Sequence, residues 1–210
     1  MKPEDLVKNV MWFGHDAICI KGSQTVFFDP YELSESAPKA DIILISHEHF
    51  DHCSPQDVSK IKKPDTVIVT DKASSSKLSG DVRVVKPGDK ITVKGVNIEV
   101  YPAYNVNKQF HPKNAGMLSF LVEMDGVRYY HAGDSDFIEE MKNLNVDVAF
   151  LPVSGTYVMT AQEAVEAARA IKPKVAVPMH YGSIVGSAKD AENFARALEG
   201  QIPVVILKKM

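Results

Sequence analysis

The stretch Ile42-Ile43-Leu44-Ile45-Ser46-His47-Glu48-His49-Phe50-Asp51-His52 runs from a continuous apolar segment straight into a cluster of ionisable side chains. The apolar run, mostly β-branched, reads as a buried strand. Just after the cluster, Ser54-Pro55-Gln56-Asp57 carries a Ser cap, a Pro at the first helical position and an acid two residues on, the signature of a helix start. His47, His49, Asp51 and His52 therefore sit on a tight loop at the C-terminal end of a strand. The chain has seven histidines in 210 residues, and three of them fall within these six positions. Imidazole and carboxylate are donors that suit zinc, manganese or iron.

Two later strand ends repeat the theme. Val127–Tyr130 leads into His131-Ala132-Gly133-Asp134-Ser135-Asp136, where Gly133 permits a sharp turn and Asp134 can point off the strand end. Val175–Met179 leads into His180-Tyr181-Gly182. Ligands at the ends of several strands converge when sheets are layered, which is how open α/β sites are built. One cluster alone would hold one ion; with a distant Asp and a distant His there are donors for two.

The rest of the chain bounds the context. Its 210 residues, 45% of them hydrophobic, are expected to form one domain, 1–210, with a sizeable core. The net charge is −3, and no basic block suggests a nucleic-acid partner. The charged start Met1-Lys2-Pro3-Glu4-Asp5 leads into no signal-like apolar stretch. No run approaches the roughly 18 apolar residues of a membrane span. Two cysteines, Cys19 and Cys53, make no disulfide framework, so a cytoplasmic location is expected. Cys53 adjoins the histidine loop but reads as a small buried residue rather than a reactive thiol.

Short strands are expected at 10–13, 17–20, 25–29, 42–46, 66–70, 82–85, 91–93, 96–101, 117–124 and 127–131. Asp125-Gly126 marks a hairpin turn. The second half then alternates: a helix from about Asp136, a strand at 147–151, a helix capped by Thr160, a strand at 175–179, a helix capped by Ser187, and a strand at 204–207. Strands grouped first and alternating with helices later favour two mixed sheets covered by helices.

At these residues the chain resembles the metallo-β-lactamase superfamily, whose signature is HxHxDH after a strand, then a distant His, a Gly-Asp at another strand end and a final His. The Phe28-Asp29-Pro30 turn resembles that family's first motif. Phe13-Gly14-His15, His131-Ala132-Gly133-Asp134 and Pro178-Met179-His180-Tyr181 are similar to small stand-alone metal-dependent hydrolases related to ascorbate-phosphate lactonases. The resemblance runs from about Val10 to Gly182. It implies an α+β fold, the four-layer αββα sandwich of two mixed sheets flanked by helices. It also implies that His47 and His49 bind one metal ion, that Asp51, His52 and His180 bind a second, and that Asp134 bridges both. Asp29 would orient a ligand imidazole from behind, and His15 is expected either beside the ligands or in a purely structural role.

One ligand is open. The family places a His after the strand ending at Tyr101, where this chain reads Pro102-Ala103-Tyr104-Asn105-Val106-Asn107, and the next His is His111. Either His111 swings in, Asn105 coordinates through its amide oxygen, or the first ion lacks that ligand; a weakened first site with Asn105 or His111 nearby is expected. His131 is expected on the opposite face from Asp134, in a hydrogen-bonding role. Asp136 is expected to matter far less than Asp134. Tyr104, Asn105, Lys108, His111 and Tyr157 are candidates for substrate contact.

The expected cofactors are two divalent ions, zinc first, with manganese, iron and nickel open. Two such ions about 3.5–4 Å apart would hold a bridging hydroxide at neutral pH. The expected activity is hydrolysis of a phosphodiester, a cyclic phosphate or a lactone ester, with Asp51 moving the proton, as the resemblance implies. The partner is a small-molecule substrate, without membrane or nucleic acid, and a homo-oligomer is open. Two alternatives are a metal-binding protein with little or no turnover and a di-iron redox protein. Against the latter, His49 stands where that class carries a carboxylate, and no flavin domain follows.

Overall fold

The computed structural model describes residues 2–210. Helix α1 (Pro3–Val7) leads into β1 (Val10–Gly14), β2 (Ala17–Lys21), β3 (Thr25–Phe28), β4 (Ile42–Ile45), α2 (Pro55–Ile61), β5 (Val67–Thr70), α3 (Lys72–Ser75) and β6 (Asp81–Val84). The six strands form one sheet in chain order: β1 to β3 pair antiparallel, β3 to β6 parallel. A second sheet holds β7 (Lys90–Val93), β8 (Val96–Pro102), β9 (Leu118–Met124), β10 (Val127–His131), β11 (Val148–Pro152) and β12 (Val175–Met179), again in chain order. Here β7 to β10 are antiparallel and β10 to β12 parallel. Helices α4 (Ala161–Ile171) and α5 (Ala188–Ala197) complete the chain's regular elements.

Strand alternation makes the layers. Ile18, Ile20, Val26, Phe28, Ile42 and Leu44 pack inward on a core shared with Ile98, Val100, Phe120 and Val122 of the second sheet. Their neighbours Cys19, Phe27, Ile43 and Ile45 face the other way, onto Val58 and Ile61 of α2. On the far side, Ala164, Val165, Ala168 and Ile171 of α4 form the apolar stripe that covers the second sheet. Two mixed sheets with helices outside is the α+β architecture expected. The Asp125-Gly126 turn joins β9 and β10 with both residues at positive φ (53° and 77°), the requirement of a type I′ hairpin.

Two expectations are corrected. No helix starts at Asp136; a 3₁₀ segment, Glu139–Asn143, takes its place, because the Asp136 carboxylate is turned onto the 106–108 loop. The expected strand at 204–207 is reduced to a single bridge, Ala176 with Val204. Pro203 has no N–H for a ladder and contributes only its carbonyl, to Ala176. The short helices α1 and α3 had no clear periodic signal and were not anticipated.

Candidate metal centre

The site lies along the C-terminal ends of β1, β3, β4, β10 and β12. Three of its residues follow a strand in the left-handed region: His15 (φ 48°), Asp29 (φ 41°) and His180 (φ 59°). Non-glycine residues adopt that conformation at a cost, and such strain gathers where a side chain must be aimed. The 46–52 loop is closed by His49, whose carbonyl accepts from the N–H groups of His52 (3.0 Å) and Cys53 (2.8 Å). Gly133 (φ 57°) turns the chain after β10; a Cβ there would lie 2.9 Å from the Leu118 carbonyl and 3.1 Å from the Ser46 Cβ.

The hydrogen bonds fix which nitrogen each imidazole presents. Asp29 accepts the Ser46 N–H on Oδ1 (2.7 Å), and the Ser46 hydroxyl (2.7 Å) and His52 Nδ1 (2.9 Å) on Oδ2. With its own proton donated to Asp29, the Ser46 oxygen accepts from His47 Nδ1 at 2.9 Å. His111 Nδ1 donates to the Tyr157 carbonyl (3.2 Å), and His180 Nδ1 meets the Ser154 hydroxyl (2.9 Å). His47, His52 and His111 thus donate from Nδ1 and leave Nε2 with a lone pair, the tautomer a metal needs, while His180 Nδ1 is engaged by a hydroxyl. Nε2 of His47 faces Nδ1 of His49 at 3.0 Å, and His49 is the exposed member of the set.

Asp134, almost wholly buried, lies between two groups of imidazoles. Its Oδ2 is 3.2 Å from His111 Nε2, and its Oδ1 is 3.3 Å from His52 Nε2 and 3.1 Å from His180 Nε2. Asp134 Oδ1, His52 Nε2 and His180 Nε2 are nevertheless buried without a hydrogen-bond partner. Buried polar atoms are otherwise paired almost without exception, so inward-facing orphans of ligand type fit an ion. Overlapping sets of three could each hold one: first His47, His49 and His111; beside it His15, His52 and His180; His47, His52 and Asp134; and Asp16, Asp134 and His180.

His111, rather than Asn105, comes to the first set. Asn105 has both ends of its amide engaged, Nδ2 on the Tyr157 carbonyl (2.9 Å) and Oδ1 on the His111 N–H (2.9 Å). It brackets the loop and presents nothing to an ion or a substrate. Asp136, expected to matter little, anchors the same loop by accepting from the N–H groups of Val106 (2.8 Å) and Asn107 (3.4 Å) and from Lys108 Nζ (2.6 Å). Lys108 is thereby committed to Asp136. Tyr104 turns its hydroxyl to Glu140 (2.9 Å) and Lys113 (3.1 Å), so neither is directed at substrate as expected. Tyr157 lends its carbonyl to the bracket, while its ring meets Phe110 edge-on at 4.7 Å.

His15 and Asp51 form a pair, with Nε2 3.1 Å from Oδ2, and the His15 ring lies 3.9 Å from that of His180. His131 has no nitrogen to give: Nδ1 accepts from the Gly133 N–H (3.2 Å), so Nε2 donates to the Asp16 carbonyl (2.9 Å). Its ring stacks on Phe28, 4.8 Å away and nearly parallel. For that reason a metal position using His131 with Asp16 and Asp29 is chemically unsuited. Asp16 itself was missed by sequence reading. It is fully buried with both oxygens unpartnered, 3.8 Å from His52 Nδ1. A single acid at a strand turn gives no sign of such burial.

Electrostatics follow this packing. Burial lifts the Asp16 carboxyl well above its usual range. Burial also opposes charge on His52 and His180, but the facing Asp134 outweighs it in both, assisted by Asp29 at His52 and by Asp16 at His180, and raises both imidazoles. The same contacts hold Asp134 well below the usual carboxylate range despite burial. His47, desolvated among other imidazoles, is pushed well down. Burial raises the Cys53 thiol to about 11, which leaves it an inert neighbour.

Comparison with known proteins identifies the family. A family model described as a β-lactamase superfamily domain matches residues 9–180. A curated UPF0173 metal-dependent hydrolase of Methanoregula boonei is 33% identical over 91% of this chain and 90% of its own. Another, of Archaeoglobus fulgidus, is 34% identical over 95% of both. The crystal structure of a metal-dependent hydrolase, described as putative, from Parabacteroides distasonis superposes with a TM-score of 0.84 at 36% identity, covering 95% of this chain and 93% of that one. The chain belongs to the β-lactamase superfamily and, within it, to the UPF0173 metal-dependent hydrolase family.

Proposed function

We propose that this protein is a metal-dependent hydrolase with a dinuclear centre, acting on a phosphodiester, a cyclic phosphate or a lactone ester. His47, His49 and His111 would hold one divalent ion, and Asp51, His52 and His180 the other. The observation that supports this reading is Asp134, whose two oxygens face different imidazole groups, His111 on one side and His52 with His180 on the other. Ligands of nitrogen and oxygen without thiolate suit zinc, manganese, iron or nickel. Bound there, two ions would supply an acidified water and an electrophilic anchor for the oxygen that gains negative charge.

The chain's own groups do the rest. Asp51 accepts the attacking water's proton and passes it to the leaving oxygen. Burial works against its ionised form, but the hydrogen bond from His15 and the nearby His52 outweigh this and keep its carboxyl low. It therefore stays ionised, the form in which a carboxylate can take up a proton. Asp29 and Ser46 fix the ring orientations, and Ser154 does the same for His180. Bound ions per chain, measured after saturation and dialysis, are expected to reach two, with hydrolysis rising as the second binds. Saturation at one ion in excess metal would overturn the dinuclear reading.

A further inference from the structure

Large apolar side chains exposed to solvent are concentrated at this site. Of the seven among the described residues, four stand on loops that carry the candidate ligands: Phe50 (67% exposed), Val106 (67%), Phe110 (52%) and Ile184 (39%). Phe50 lies between His49 and Asp51, and Phe110 directly precedes His111. The rings of His49 and His111 are 5.3 Å apart, so the two phenylalanines flank neighbouring members of one cluster. Each is braced by a second aromatic, Phe50 edge-on to Tyr31 at 5.9 Å and Phe110 edge-on to Tyr157 at 4.7 Å. Ile184 follows His180 by four residues.

The charges around this rim are already matched. Lys108 lies 2.6 Å from Asp136 and 3.6 Å from Glu163, and Lys113 lies 3.1 Å from Glu140. Lys77, which reaches the 46–52 loop, pairs with Glu48 at 3.1 Å. The segments 46–53 and 180–187 contain no Lys or Arg. A phosphorylated substrate would find no uncommitted cation on these loops, whereas an apolar group would find two braced aromatic pairs. Exposed apolar patches ringed by polar residues mark binding surfaces.

We propose that the rim binds the apolar part of an uncharged carboxylic ester or lactone, a long acyl chain or an aryl group, with its carbonyl at the metal centre. This rests on the hydrolase reading above and selects the ester over the phosphodiester. In the reaction, the oxygen of water bonds to the carbonyl carbon and the ester C–O bond breaks. One proton of that water goes to the leaving oxygen and the other is released from the new carboxylic acid.

The test compares p-nitrophenyl acetate, butyrate and octanoate with bis(p-nitrophenyl) phosphate on the metal-loaded protein. From acetate to octanoate kcat/KM should rise roughly 10-fold or more, about what two fully buried methylenes give. Esters should exceed the phosphodiester. Phe50→Ser and Phe110→Ser should each cut the octanoate-to-acetate ratio about 3-fold or more at unchanged metal content, while Val84→Ser, on β6, should leave it alone. Ester turnover without chain-length dependence, or preference for the phosphodiester, overturns this proposal and leaves the hydrolase reading standing. No turnover of any of the four by protein holding two ions overturns both. Rim variants that keep the ratio but change the oligomeric state, or abolish binding to phosphatidylcholine vesicles, would make the rim an interface and overturn the proposal.

Discussion

Asn105 and His111 occupy one loop and divide its work. The Asn105 amide ties the His111 N–H to the Tyr157 carbonyl, and the same carbonyl accepts from His111 Nδ1. His111 Nε2 is left facing Asp134. His111→Ala should therefore weaken one ion selectively, by roughly 10-fold or more, the scale of a lost metal contact. Asn105→Ala should act on the same ion more weakly, through a looser loop, and Asn105→His should not rescue His111→Ala, since position 105 points at backbone. Metal titrations of the three variants decide this; tighter binding by Asn105→His would show that residue 105 reaches the ion after all. The contrast shows what one residue reveals in sequence. His47, His49, Asp51 and His52 are legible because they are neighbours on one loop. His111 was legible only as an alternative to Asn105, because its approach depends on a partner about 50 residues away at Tyr157. Asp16 was invisible for a different reason: burial, not identity, makes it unusual.

At the scale of elements, the strands and the main helices were legible, and a few of the connections were not. Apolar alternation marks strands whichever sheet they join, so β1 to β12 all appear in the sequence within a residue or two. The segment after β10 misled, because Asp136 and the residues beyond it look like a helix start until the loop that Asp136 holds is seen. That loop makes Asp136→Ala a functional change rather than a mild one. It should lower affinity for the ion near His111 several-fold, by freeing the N–H groups of Val106 and Asn107, while affinity for the other ion changes little. Asp134→Ala should reduce both. Gly133→Ala belongs with the latter, since its Cβ would press on Leu118 and Ser46 and displace the turn that aims Asp134. Equal and selective losses are separated by titrating each variant with a chromophoric ion such as cobalt; an Asp136→Ala protein that titrates like wild type would remove the loop from the site's construction.

For the whole molecule, the site should make stability depend on pH in opposite directions with and without metal. In the metal-free protein, burial opposes protonation of His52 and His180, but Asp134 and the other nearby carboxylates prevail and set both above the ordinary 6.5. A raised folded-state value stabilises fully below 6.5 and is lost as pH rises through it. Asp16 has the same sign: its buried carboxyl, raised well above the ordinary 3.8, weakens the fold as pH rises from that value upward. His47, pushed down, and Asp134, held low, act only on the acid side of 6.5. Above 6.5 the metal-free protein should therefore lose stability with rising pH. The loaded protein should gain, because ions compete with protons for His52 and His180, and fewer protons remain to displace. At an ion concentration about 100 times its Kd, each site adds roughly 2.7 kcal/mol, or roughly 5–10 °C in Tm at this chain length. Melting curves at pH 6.5, 7.5 and 8.5, with chelator and with saturating metal, should diverge as pH rises. Parallel curves would mean that ion binding displaces no protons from His52 and His180, and that the orphaned atoms around Asp134 are not where the second ion sits.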